Sequence, residues 1–234
     1  MDAQTHKIDF DDIASSARSQ VKGCRLSGDI NNLKILVVCD DMTEQMVDCI
    51  INASNNSLQH MGGLAADLLT KAGPILQEEC TNHIKKHGPL KTGDVFASNP
   101  GKLKCKKVIH AVGPRYDGGR RNEESLLQKA ILNTMKEANQ LMMKSIAVPA
   151  ISSSIFGYPV KKSVPLIVDA CLSFAHKSLT EIRFVDINMQ TIDLFIETLK
   201  SLPNFKLKSE LAPKDILIAP MQIKSNENKS TPEV

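Results

Sequence analysis

Between residues 33 and 202, apolar runs of strand length alternate with amphipathic stretches of helical period, and no other feature constrains the fold as tightly. Residues 33–38, 47–51, 92–97, 108–112, 145–150 and 181–187 read as strands. Residues 64–69, 74–87, 123–143, 160–176 and 191–201 read as helices, with Pro74 in a first turn and Gly88 as a left-handed cap. The run 47–51 is too apolar and too short to be anything but a buried strand. The alternation therefore predicts an α/β fold, a mixed or parallel sheet covered on both faces by helices.

Composition sets the boundaries of that unit. A chain of 234 residues with 42% hydrophobic content holds one sizeable core plus flanking tails. Residues 1–32 lack a sustained period and read as a weakly ordered leader. Residues 33–202 form the globular part, and 203–234 read as a Lys-, Ser- and Asn-rich tail or linker, with 216–219 suited to a short edge strand. No internal repeat is present. The six cysteines (Cys24, Cys39, Cys49, Cys80, Cys105 and Cys171) form no CxxC pair and read as buried, reduced thiols. No signal peptide or run of transmembrane length stands out, so the expected setting is cytoplasmic or nuclear, with no membrane partner.

The formal charge of +3 is too weak to imply nucleic-acid binding without a concentrated patch. Lys102, Lys104, Lys106 and Lys107, with Arg115, Arg120 and Arg121, make such a partner a third reading; a solvated basic face is the plainer one. His83 and His87 share a helix face near Cys80, yet form no recognisable ligand pattern, so no metal is expected. His110, inside a strand, reads as a hydrogen-bonded core residue.

Function is concentrated at two strand ends. The run ending at Ile51 breaks into Asn52, Ala53, Ser54 and Asn55, then into Met61-Gly62-Gly63-Leu64-Ala65-Ala66. That order is strand, loop, helix. In open α/β sheets ligands sit beyond the carboxyl ends of strands, and a glycine pair before a helix lets backbone N–H groups approach an anion. An amide-rich solvated turn fits the same residues. A second polar loop, Ile151-Ser152-Ser153-Ser154-Ile155-Phe156-Gly157, follows the strand 145–150.

Taken with Asp41-Met42-Thr43, Ala72-Gly73-Pro74, Ile109-His110-Ala111-Val112-Gly113-Pro114 and Pro149-Ala150-Ile151-Ser152-Ser153, these blocks resemble the macrodomain family over residues 33–202. The likeness is greatest to macrodomains of mono-ADP-ribosyltransferases. It implies a three-layer α/β/α sandwich with a central mixed sheet, and a cleft for ADP-ribose, free or attached to a protein. By position, Asp41 is where the family places the acid facing the adenine amino group, with the backbone N–H of Met42 beside it; the pair Asp40-Asp41 equally suits a helix N-cap. Asn52 matches an amide that holds the loop, and Asn55 one that reaches the distal ribose. Gly62, Gly63, Leu64 and Ala65 match the loop around the diphosphate. Ser152, Ser153, Ser154, Ile155 and Gly157 match the second phosphate loop, with Phe156 over the distal ribose or, alternatively, in the core. Asp186 and Asn188 fall beside the adenosine ribose.

Two departures from the family pattern carry consequences. Ser154 stands where a glycine is usual, which costs about 1 kcal/mol if the loop needs a positive φ there. Ala65 stands where one hydrolytic subgroup carries Asp, and Asp67, two residues on, lies about 200° around the helix. A binding module is thus the first reading, with no cofactor. A slow mono-ADP-ribosyl hydrolase positioned by Asn55 and Phe156 is the second, acting on acidic side chains or on nucleic-acid ends.

Overall fold

The computed structural model describes residues 23–211. Among them are eight strands: β1 (Gly23–Ile30), β2 (Leu33–Cys39), β3 (Cys49–Ser54), β4 (Val95–Ser98), β5 (Lys107–Val112), β6 (Ser145–Val148), β7 (Glu181–Asp186) and β8 (Lys206–Glu210). Five helices join them: α1 (Gly63–Ala72), α2 (Ile75–His87), α3 (Glu123–Gln140), α4 (Val160–Ser173) and α5 (Met189–Lys200). The strand order is β4-β5-β3-β6-β7-β2-β1-β8. The central five, from β5 to β2, run parallel, while β4, β1 and β8 add to the margins antiparallel to their neighbours.

Strand parity divides the core in two. Cys49 and Ile51 of β3, Ile109 of β5 and Phe184 of β7 face α3, α4 and α5, meeting Leu127, Ile131, Val164, Ile167 and Phe195. The Phe184 and Phe195 rings stack with centroids 4.8 Å apart. Ile50, Val108, Ala147 and Val185 face the other way, onto Leu68 and Ala72 of α1 and Leu76 of α2. Burial on both faces is why these strands are continuously apolar. The result is the three-layer sandwich expected from the sequence.

The ends of the chain differ from expectation. β1 lies within the stretch read as a leader, and it enters the sheet through a hairpin in which Ile30 pairs with Leu33 across Asn31 and Asn32. Both asparagines are left-handed (φ 49° and 64°), the mirror-image turn that matches strand twist and that asparagine tolerates. Only Leu26, Gly28 and Ile30 alternate inward, and a bulge between Cys24 and Leu26 blurs the period further. β8 lies within the stretch read as a tail; all five of its residues are exposed at the sheet margin, so no apolar pattern marks it. Residues 216–219 lie outside the described range. None of the described helices is long and apolar enough to cross a membrane. The six cysteines are all free, but Cys24 is exposed and Cys105 only partly buried.

Candidate functional site

Because β2, β7, β6 and β3 are mutually parallel neighbours, the segments that follow them emerge along one edge of the sheet. With strands about 4.8 Å apart, β2 and β3 are three steps, about 14 Å, from one another. A cavity of about 530 Å³ opens at the β3 and β6 end of this edge. Asn55, Gly62, Gly63, Leu64 and Ala65 form one wall, Ser152, Ser154, Ile155 and Phe156 the other, and Gly113 and Arg115 contribute from beyond β5. The walls nearly touch: a Cβ placed on Gly62 or Gly63 would sit 3.5–3.6 Å from Ile155 Cδ1.

Backbone geometry explains the glycines. Gly62 caps α1 without a side-chain acceptor, so the first-turn N–H groups of the helix have no partner within it. Gly63 is left-handed (φ 54°), which a side chain would strain. On the opposite loop, Ser152 is left-handed (φ 67°) and its buried hydroxyl has no partner, while Gly157 takes φ 68°. Ser154 is not left-handed, so the cost expected from its replacing a glycine does not arise; the strained serine is Ser152. Ser153 turns inward, its hydroxyl donating to Ala150 O at 2.6 Å. Neither Ser153 nor Gly157 lines the cavity.

The aromatic wall is fixed from both sides. The Arg115 guanidinium lies 4.8 Å over the Phe156 ring, and Phe156 O accepts from Tyr116 N at 2.9 Å. From sequence alone Arg115 has no role at the site; it ends the 110–115 block and stands in a charge cluster. Its neighbours there are otherwise engaged: Arg120 and Arg121 pair with Asp117, Lys104 with Glu44 and Lys106 with Asp48.

Several expected contact residues sit elsewhere. Asn52 does not line the cavity: even-numbered positions of β3 face α1 and α2, so it is fully buried in a structural role, with Nδ2 3.0 Å from Nδ1 of its strand neighbour His110. Asn55 does reach the cavity, but its Oδ1 accepts from Ser57 N, Ser57 Oγ and Gln59 N, and its Nδ2 donates to Gln59 O at 2.8 Å. The amide holds the 55–59 loop. Asp41, Met42, Asp186 and Asn188 lie off the cavity, at the β2 and β7 end. Asp41 Oδ1 caps the short helical turn Met42–Glu44, accepting from Thr43 N and Oγ1 at 2.8 Å; Met42 is buried. Asn188 caps α5, and burial raises the Asp186 carboxyl above its usual range. Ser54 and Met61 of the first loop line the cavity, as do Ser57 and Gln59, which the sequence did not single out.

None of the cavity's lining residues carries a carboxylate, imidazole or thiol. What converges there is main-chain donors, hydroxyls, the amides of Asn55 and Gln59, one guanidinium and one ring. His110 and Cys80 are fully buried and do not line it.

The Macro domain family matches residues 51–167. Protein mono-ADP-ribosyltransferase PARP14 of Homo sapiens is 39% identical over 185 residues, covering 76% of this chain and 10% of that protein. O-acetyl-ADP-ribose deacetylase 1 of Pantoea vagans is 30% identical over 169 residues, 71% of this chain and 98% of the enzyme. The chain also spans 28% of a Thermotoga maritima relative. Among solved structures, the Oceanobacillus iheyensis macrodomain with ADP superposes at a TM-score of 0.70 with 25% identity, covering 75% of this chain and 94% of that one. A mutant form of it solved with ADPR, at 24% identity, shares the fold.

Proposed function

Because this chain belongs to the macro domain family, we propose that its cleft is an ADP-ribose-binding module, taking free ADP-ribose or the mono-ADP-ribose of a modified protein. The observation that carries this reading is the cavity walled by the Gly62-Gly63 loop and the 152–156 loop. Unpartnered N–H groups at the start of α1 suit a pyrophosphate, and the Phe156 ring suits a sugar face. The adenosine end extends along the sheet edge to Asp41, whose second carboxylate oxygen accepts from the adenine amino group, with Met42 N beside it and Asp186 and Asn188 near the ribose. Asn55 acts by shaping the loop. The O. iheyensis structure with ADP supports the same choice of ligand.

The absence of a general base among the lining residues favours binding over turnover. The relative named as a deacetylase supports the alternative, a slow hydrolase in which Asn55 and Phe156 position the distal ribose. Free thiols and the lack of any membrane-crossing helix among the described residues fit a cytoplasmic or nuclear setting. Calorimetry against ADP-ribose tests the proposal: one ligand per chain is expected, with Asp41→Ala weakening it more than tenfold. Failure to bind ADP-ribose overturns it, and multiple turnover of a mono-ADP-ribosylated Glu or Asp substrate moves the hydrolase reading to first place.

A further inference from the structure

Beneath the glycine loop, on the α1 and α2 side of the sheet, three side chains from distant parts of the chain converge. His60 stands two residues before Gly62, Cys80 lies on α2 and His110 on β5. All three are buried, and one ligand-capable atom from each lies within 4.8 Å of the other two, the one such trio among the described residues. Separations of 20 and 30 residues hide it from any motif search.

One edge of the trio already has the length a tetrahedral site requires, and the other two lie within 4.8 Å. Metal–sulfur and metal–nitrogen bonds of about 2.3 and 2.0–2.1 Å set a sulfur-to-nitrogen edge of about 3.6 Å. Cys80 Sγ is 3.5 Å from His110 Nε2. His60 Nε2 is buried without a partner, although the other ring nitrogen is held 2.8 Å from Gln77 Oε1. Imidazole ligands are commonly oriented by such an outer acceptor. Asn52 completes the pattern: Nδ2 faces His110 Nδ1 while its buried Oδ1 has no partner. Turning that amide by half a rotation lets Oδ1 accept from Nδ1–H and makes His110 Nε2 an acceptor facing Cys80 Sγ and Ser98 Oγ.

We propose that His60, Cys80 and His110 bind a zinc-type transition ion that ties the glycine loop to α2 and β5. One thiolate and two neutral imidazoles form the donor set that borderline-soft ions select. On binding, the Cys80 thiol proton leaves for solvent and its sulfur lone pair enters the metal bond. The Ser98 hydroxyl, 2.9 Å from His110 Nε2, is at hand for the fourth position. The site does not depend on the ADP-ribose reading.

Cobalt titration of the full chain, reduced and stripped with chelator, tests this. The expected result is one Co2+ per chain, a thiolate-to-cobalt charge-transfer band, release of one proton, and displacement by Zn2+ with a rise in Tm. Cys80→Ser abolishes the band and the rise, His60→Gln weakens binding at least tenfold, and Cys105→Ser leaves both unchanged, with circular dichroism confirming that each variant is folded. Failure of the folded parent to take up cobalt stoichiometrically, or persistence of the band in Cys80→Ser, overturns the proposal and leaves a neutral hydrogen-bonded cluster.

Discussion

Gly113 shows how much one position can decide. A Cβ there would collide with Ser152 Oγ and come 2.7 Å from Ile151 Cγ2, in a loop already strained at Ser152. Gly113→Ala therefore displaces the 152–156 wall: we expect ADP-ribose affinity to fall at least tenfold while the far-ultraviolet circular dichroism is kept, and parental affinity would contradict the packing described. His110 governs a different property. Burial, reinforced by the nearby His60, pulls its imidazole pKa down to about 3, against about 6.5 when unfolded. The unfolded chain takes up the proton first, so this stability is complete above about pH 6.5 and drains away as pH falls toward 3. At pH 5 the loss is about 2 kcal/mol from His110 alone. Tm measured at pH 7 and pH 5 should drop accordingly; a Tm that is unchanged or higher at pH 5 contradicts the assignment of a buried neutral ring.

Among the elements, two connections illustrate opposite uses of asparagine. Asn55 spends its amide on the 55–59 loop, so Asn55→Ala should loosen that wall, costing about 1–2 kcal/mol of stability and weakening ADP-ribose binding together. Binding lost without any change in Tm would instead place the amide on the ligand. Asn32 in the β1–β2 hairpin holds φ 64°, and Asn32→Val should cost about 1–2 kcal/mol, read as a lower Tm with unchanged ligand affinity. The hairpin also marks the limit of the sequence reading. The five parallel strands announce themselves because both faces are buried, as at Ile50 and Ile51, whereas β1 and β8 have at least one wet face and short, interrupted patterns. Of the site, the glycine pair, Phe156 and the serine loop were legible as strand-end motifs. Asn52 matched the motif as the amide that holds the loop, and its even-numbered register places it on a sheet face with Ile50, away from the cavity. Arg115 could be located beside Phe156 only once the fold brought the two loops together.

At the scale of the whole molecule, the parallel order β2-β7-β6-β3 carries the functional argument, since it aligns Asp41, Asp186, the 152–156 loop and the Gly62-Gly63 loop along one edge. The cavity occupies only the β3 and β6 half, so a ligand spanning the proposed groove must also perturb residues about 14 Å away, at the end of β2. A ligand confined to the cavity, such as ribose 5-phosphate, should not. The most direct test is an amide-detected NMR titration of the full chain with ADP-ribose. The account predicts shifts at Leu64, Ala65 and Ser152 through Phe156 together with Asp41, Met42 and Thr43. Shifts absent from both loops, or confined to the Lys102–Lys107 face, would contradict it.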